Sequence, residues 1–255
     1  MVTVKDIYDF LNEIAPFSLQ ESYDNSGMLV GDFNNKVSKV LLALDITSQV
    51  AEEAVLTGCD LVISHHPVIF NGLKNLHPKN PAVILAKGDV SAICIHTNFD
   101  SAKGGMNDIL CERLGIEPAE PLSIENGIPI GYVGELKSEY TPKELAKVIK
   151  DKLGNTVVRY NDTQKTMRKV GVCSGSGGSF LPVVIAKGLD GYITGDVKHD
   201  VFVDANNQGI CIFDAGHFHT ENIFYDYIIE KLIAKFPELD ISIAKENKDL
   251  ISYEI

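Results

Sequence analysis

Six short apolar runs punctuate the chain: KVLLALDI (39–46), DLVISHH (60–66), SAICIHTNFD (91–100), KVGVCSG (169–175), GYITGD (191–196) and GICIFDAGH (209–217). A continuous apolar run of four to eight residues reads as a strand buried on both faces, as in a parallel sheet. Between the runs lie stretches with helical spacing: SQVAEEAVLTG (48–58), NPAVILAKG (80–88), GGMNDILCERLG (104–115) and LPVVIAKGL (181–189). Strand and helix alternate, which predicts an α/β fold with parallel strands and helical crossovers. The segment 127–162 reads strand, helix, strand, with Thr141-Pro142 opening the helix. An amphipathic helix capped near Thr3 is expected at the start. The pattern is interrupted at PLSIENGIP (121–129), which places a boundary near residue 125 and divides the chain into 1–125 and 126–255.

The pattern also repeats. KVLLALDITSQVAEEAVLTGCDLVIS from Lys39 lies over KVGVCSGSGGSFLPVVIAKGLDGYIT from Lys169 without a gap. Lys39/Lys169, Val40/Val170, Gly58/Gly188, Asp60/Asp190 and Ile63/Ile193 coincide. Downstream, AICIHTNFD lies over GICIFDAGH, a register that puts Asp100 at the position of His217. The expectation is two similar α/β halves facing each other with a metal site between them. Sites in parallel α/β architectures form beyond the carboxyl ends of strands, and that is where the unusual polar residues fall.

Composition narrows the classes. The chain has 255 residues, 45% hydrophobic and 23% charged, which is ordinary globular composition. Its 23 basic and 35 acidic residues leave a net charge of −12, with no basic patch or arm to offset repulsion from a nucleic-acid backbone. A phosphorylated small molecule remains open, because a local metal charge overrules the global field. Five cysteines without a CxxC pair, three of them (Cys94, Cys173, Cys211) inside apolar runs, read as free buried thiols in a reducing compartment. The first residues are too acidic and polar for a signal peptide, and no run approaches a membrane span. The expected location is the cytoplasm.

Three clusters carry the chemistry: His65 with His66, His96 with Asp100, and His217 and His219 with Glu221. Each follows an apolar strand, and each offers only imidazole or carboxylate. Such mixed N/O sets suit zinc, iron, manganese, cobalt or nickel, and a carboxylate can bridge two ions. Adjacent His65 and His66 should point to opposite sides of the backbone, as single ligands to two neighbouring ions rather than a chelate on one. His217 and Glu221, four apart, share a face if the helix FHTENIFYDYIIEKLIAKF starts there. His77 and His199 stand apart; Asp45, Asp196 and His199 also lie at strand ends, in supporting or structural roles. The loop CSGSGGSF (173–180) is either a phosphate cradle or a flexible turn; it lacks the lysine of a P-loop and forms no GxSxG elbow.

Taken together, ESYDNSGMLVGD, SHHPVIF, HTNFDSAKGGMND, GSGGSF, ITGDVKHD and DAGHFHTE, in that order, resemble the Nif-three-like dinuclear-metal family, whose members are often labelled GTP cyclohydrolase 1 type 2 homologues. The resemblance spans nearly the whole chain; Tyr23 stands where tryptophan is common. It implies His66 and Asp100 on one ion, His65 and His217 on the other, Glu221 bridging both, and His96 close by for proton transfer. It also implies a ring-shaped homohexamer. The activity implied is a dinuclear metal-dependent hydrolase opening the purine ring of GTP with formate release, with His96 or His219 shuttling protons. The substrate is then a small anionic molecule or nucleotide. The alternatives are a metal-dependent nucleotide phosphoesterase and a non-catalytic metal-binding regulatory or partner protein.

Overall fold

The computed structural model describes residues 1–155 and 157–254. The chain forms two compact units. The first comprises Met1–Ala102 and Phe224–Lys248; the second comprises Lys103–Ile223 and the chain from Asp249.

The first unit opens with α1 (Val4–Ile14), started by a capping box in which Thr3 and Asp6 satisfy each other's backbone amides. There follow β1 (Gly27–Val30), β2 (Lys39–Ala43), α2 (Ser48–Leu56), β3 (Leu61–Ser64), α3 (Pro81–Lys87), β4 (Ser91–Cys94) and the short α4 (Thr97–Ser101). Strands β2, β3 and β4 are parallel neighbours, buried along their whole length except at Lys39. Val50, Ala51 and Ala54 of α2 and Leu85 of α3 share one core cluster with Leu41, Ala43, Val62 and Ala92 of the sheet. Each large aliphatic side chain buried in this way contributes about 1.5–3 kcal/mol, which is why continuous apolar runs make reliable strands here.

The second unit contains α5 (Met106–Leu114), β5 (Ile116–Glu125), β6 (Ile128–Tyr140), α6 (Pro142–Leu153), β7 (Arg159–Tyr160), β8 (Met167–Val172), α7 (Leu181–Ala186), β9 (Gly191–Thr194), α8 (His199–Gln208), β10 (Cys211–Asp214) and α9 (His217–Glu221). Its sheet runs β5-β6-β8-β9-β10-β7, with β8, β9 and β10 parallel. Thr156, in the strand expected around 155–162, lies outside the described residues; the strand that forms nearby is only Arg159–Tyr160. The chain then returns to the first unit as α10 (Tyr225–Lys235) and β11 (Asp240–Ile243). β11 pairs parallel with β2 and completes the order β1-β4-β3-β2-β11.

The chain therefore does not divide at residue 125. The segment 121–129, expected to interrupt the pattern, is a β-hairpin: Glu125 pairs with Ile128 across Asn126-Gly127, both at positive φ (52° and 84°). That is the two-residue turn whose twist matches paired strands, and Asn-Gly is its strongest sequence signal. Pairing with β6 draws β5 into the second unit, and pairing with β2 draws β11 into the first.

The internal repeat is real at the level of hydrogen bonds. Asp60 Oδ2 accepts from the amides of Ser38 and Lys39 (2.8 and 2.9 Å), and Asp190 Oδ2 does the same for Arg168 and Lys169 (3.0 and 2.8 Å). Gly58 and Gly188, two residues earlier, take matching left-handed conformations (φ +66° and +61°). The downstream register differs from the expected one by three residues. Ser64 pairs with Cys94 and Thr194 with Asp214, so Cys94 corresponds to Asp214 and α4 to α9. Asp100 therefore matches Thr220, not His217. Among the described residues no helix is long and apolar enough to cross a membrane. All five cysteines are free and buried, and burial pushes the Cys111 thiol up to about 12.

Candidate metal centre

In the first unit the ladder persists past β3, so the two histidines leave the sheet on a fixed backbone. His65 N donates to Ala43 O and His66 N to Leu44 O (3.3 and 2.9 Å), while Ile95 N donates to Ser64 O (2.9 Å). The chain bends at His65-His66, so strand alternation no longer applies. The two rings do not diverge: their centroids lie 5.0 Å apart, and each is 5.2–5.3 Å from the ring of His96.

Each ring of this triad is held by its Nδ1. The buried His65 donates to Ile95 O (2.9 Å), His66 to Asp45 Oδ1 (2.8 Å) and His96 to Asp24 Oδ1 (2.8 Å). A carbonyl or an ionised carboxylate can only accept, so the proton sits on Nδ1 and the lone pair of each neutral ring on Nε2. Ligand atoms of His65, His66 and His96 lie within 4.8 Å of one another. His65 Nε2 also faces Asp100 Oδ1 at 3.6 Å. An imidazole beside Asp100 is thus that of His65; the resemblance grouped Asp100 with His66.

Asp24 is the residue sequence reasoning missed, although it sits in the quoted ESYDN motif. It accepts from Ser26 Oγ (2.7 Å), Thr97 N (3.1 Å) and Thr97 Oγ1 (2.5 Å) as well as from His96. Burial opposes its ionisation, but the hydrogen bonds from His96, Thr97 and Ser26 outweigh it. Its carboxyl is held well below the usual carboxylate range.

In the second unit, His217 opens α9 after Gly216, which takes φ +76° at the cap. His217 Nδ1 donates to Asp196 Oδ2 (2.7 Å), and Nε2 lies 3.0 Å from Glu221 Oε2, four residues along the helix. Glu221 is buried. The single helix expected from 218 to 236 is in fact two, α9 and α10, but His217 and Glu221 both fall in the first. A cavity of about 310 Å³ opens beside His217, lined also by Arg159, Asp196, Asp249 and Tyr253.

The Gly/Ser loop supports this pair. Gly175 (φ +60°) passes so close that a Cβ there would collide with Glu221 Oε1 and stand 3.3 Å from His217 Nε2. Ser174 N donates to Asn107 Oδ1 (2.9 Å), Gly175 N to Thr220 Oγ1 (3.0 Å) and Gly177 N to Thr194 Oγ1 (2.9 Å). Those amides are spent within the protein, so the loop is a pinned support and they are not donors for phosphate. His219 contacts Asp249 Oδ2 (3.4 Å) and the ring of Phe218. His199 is exposed at the start of α8, and the exposed His77 accepts from Lys79 N in its own loop.

The donor sets fit a divalent cation. Imidazoles whose far nitrogen is fixed by a carboxylate or carbonyl are the usual outer support of metal ligands. In the second unit, Gly175 next to the donors leaves room that a Cβ would fill.

The model of the Duf34/NIF3 (NGG1p interacting factor 3) family matches residues 2–249. The chain belongs to the NIF3 family. Among curated relatives, a Clostridium perfringens protein named GTP cyclohydrolase 1 type 2 homolog is 35% identical over 257 residues, covering 96% of this chain and 97% of its own. Solved structures of a Staphylococcus aureus protein (TM-score 0.91) and of a Bacillus cereus protein related to NIF3 (TM-score 0.88) each superpose over 99% of both chains at 24% identity. At that identity the likeness establishes the NIF3 fold, two similar α/β halves.

Proposed function

We propose that this NIF3-family chain is a dinuclear metal-dependent hydrolase, and that ring opening of GTP with formate release is its reaction. The observation that carries the reading is the shared posture of four imidazoles. His65, His66, His96 and His217 each have Nδ1 engaged by a carbonyl or carboxylate and so offer Nε2. We assign His65 and Asp100 to one ion, because they already lie side by side. His66 and His217 are left for the other, with Glu221 as the bridge that the family resemblance implies. Nitrogen and carboxylate donors without thiolate suit zinc, iron, manganese, cobalt or nickel.

Two such ions would supply a Lewis acid and a water acidic enough to act as nucleophile at neutral pH. The chain's own residues do the rest. His96, with Nδ1 anchored on the ionised Asp24, takes a proton on Nε2 and is stabilised while it holds it. His219, beside Asp249, is the second proton carrier in this reading. Bound at these residues, two divalent ions would leave residual positive charge favouring an anionic substrate despite the net −12 of the chain. The names of curated relatives support GTP as that substrate. The proposal extends to a homohexamer in the cytoplasm, supported by the family resemblance and by five free thiols.

The test is formate release from GTP by metal-reconstituted protein, with Glu221→Ala in parallel. Formate from the wild type, abolished in the variant, is the expected result. Phosphate in place of formate would move the reaction to phosphoesters. Neither product from protein carrying two ions would make the chain a binding protein rather than an enzyme.

A further inference from the structure

Two aromatic side chains near the histidine triad lie on the surface although the backbone that carries them is tightly held. Tyr23 is 63% and Phe70 44% exposed. Single exposed apolar residues are ordinary, but these two form one group with the triad. The Phe70 ring meets that of His96 edge-on at 6.2 Å, and the Tyr23 ring lies 6.5 Å from Phe70 at a tilt of 38°.

The frame beneath them is cross-linked by hydrogen bonds. Asn25 Nδ2 donates to Ile69 O (2.6 Å), tying the two loops together one residue from Phe70 and two from Tyr23. Ser26 N donates to Gln20 Oε1 (3.0 Å), and His96 N donates to Ser26 Oγ (3.1 Å). Asp24, next to Tyr23, holds His96 and Thr97. Ordering a backbone this far while leaving large apolar rings in water contributes little to folding. It does pre-organise a flat apolar surface beside His96, which lowers the cost of binding a planar group.

We propose that Tyr23 and Phe70 are the stacking site for the purine ring of a nucleotide, beside His96. A protein of net charge −12 offers a triphosphate no general attraction. Affinity has to come from local positive charge and from the base, and a base stacked on an aromatic side chain gains about 1–3 kcal/mol. The choice of a purine rests on the hydrolase reading; the stacking surface is independent of turnover.

The chain contains no tryptophan, so Tyr23→Trp creates a single fluorescent reporter at the site. Zinc-loaded full-length protein is titrated with GTP and, separately, with inorganic tripolyphosphate. Saturable quenching by GTP and none by tripolyphosphate is expected. Adding Phe70→Leu should weaken GTP binding about ten-fold. Should Tyr23→Trp fail to fold, Phe70→Trp reads the same event. Absent quenching, equal quenching by tripolyphosphate, or an unchanged affinity on Phe70→Leu overturns the proposal. So does a change of oligomeric state in Tyr23→Leu, which would make the rings an interface between copies. Formate release without quenching sinks the stacking site alone; quenching without formate sinks the ring-opening reading alone.

Discussion

Asp24 shows how much one side chain settles at the residue scale. It joins the loop before β1 to the start of α4 and fixes the proton of His96 on Nδ1. Because hydrogen bonds hold its carboxyl below the ordinary carboxylate range in the folded protein, its contribution to stability is present above the ordinary carboxylate value of 3.8 and is lost progressively as pH falls below it. Asp24→Asn should therefore melt below wild type at pH 7 in metal-free protein, and the gap should narrow as pH falls below about 4. Thermal unfolding from pH 7 to 3 reads this directly; a gap of constant size would mean that the ionised form is not what stabilises. The imidazoles that Asp24, Asp45 and Asp196 serve were visible in the sequence as histidines ending apolar runs. Asp45 and Asp196 were legible only as strand-end carboxylates in supporting or structural roles, and Asp24 not at all, because which imidazole each serves depends on what lies opposite.

Elements bring these residues to the same ends of their sheets. Parallel strands β2, β3, β4 and β8, β9, β10 release their chains at their carboxyl ends, and the polar residues after them cluster there. The loop after β8 shows how narrow the tolerance is. Gly175→Ala places a methyl against Glu221 at a left-handed φ, and it should cost about 1–3 kcal/mol in stability. Bound metal should fall well below two equivalents as Glu221 is displaced. Metal analysis with a melting curve checks both, and full metal occupancy in the variant would detach the loop from the site. Two elements escaped the reading of periodicity. The β5–β6 hairpin was signalled by Asn126-Gly127 rather than by apolar alternation, since β5 is mostly exposed. The break between α9 and α10 follows from Ile223, Phe224 and Tyr225, three successive buried residues that no single helical stripe can hold.

For the whole molecule the chain order matters more than the count of halves. Each unit takes in a segment from beyond the other, so a cut near residue 125 divides neither sheet from its neighbour cleanly. A fragment of residues 1–125 would keep β5 without β6 and leave β2 as an open edge without β11. It would also lose α10 and β11, and with them the contact of Phe10 with Phe236. Unpaired edges and bared apolar surface favour association, so this fragment should elute as aggregate and lack a cooperative unfolding transition. A monomeric fragment with a sharp transition would show that the C-terminal return is dispensable.

The amino-acid sequence by itself determined what depends on short-range pattern. Strands buried on both faces need unbroken apolar runs, so β2, β3, β4, β8, β9 and β10, their repeat as far as Ile63 and Ile193 and the histidines that end them were legible, as was the NIF3 family. Tertiary structure alone decided the partners. His96 meets Asp24 across 72 positions, His66 meets Asp45 and His217 meets Asp196 across 21, and β11 returns to β2 after the entire second unit. Apolar periodicity specifies which face of an element is buried, but a hydrogen-bond partner depends on which strand ends the completed sheet brings together. That is why the imidazoles were found from the sequence and the pairing of each with the group that aims it only from the fold.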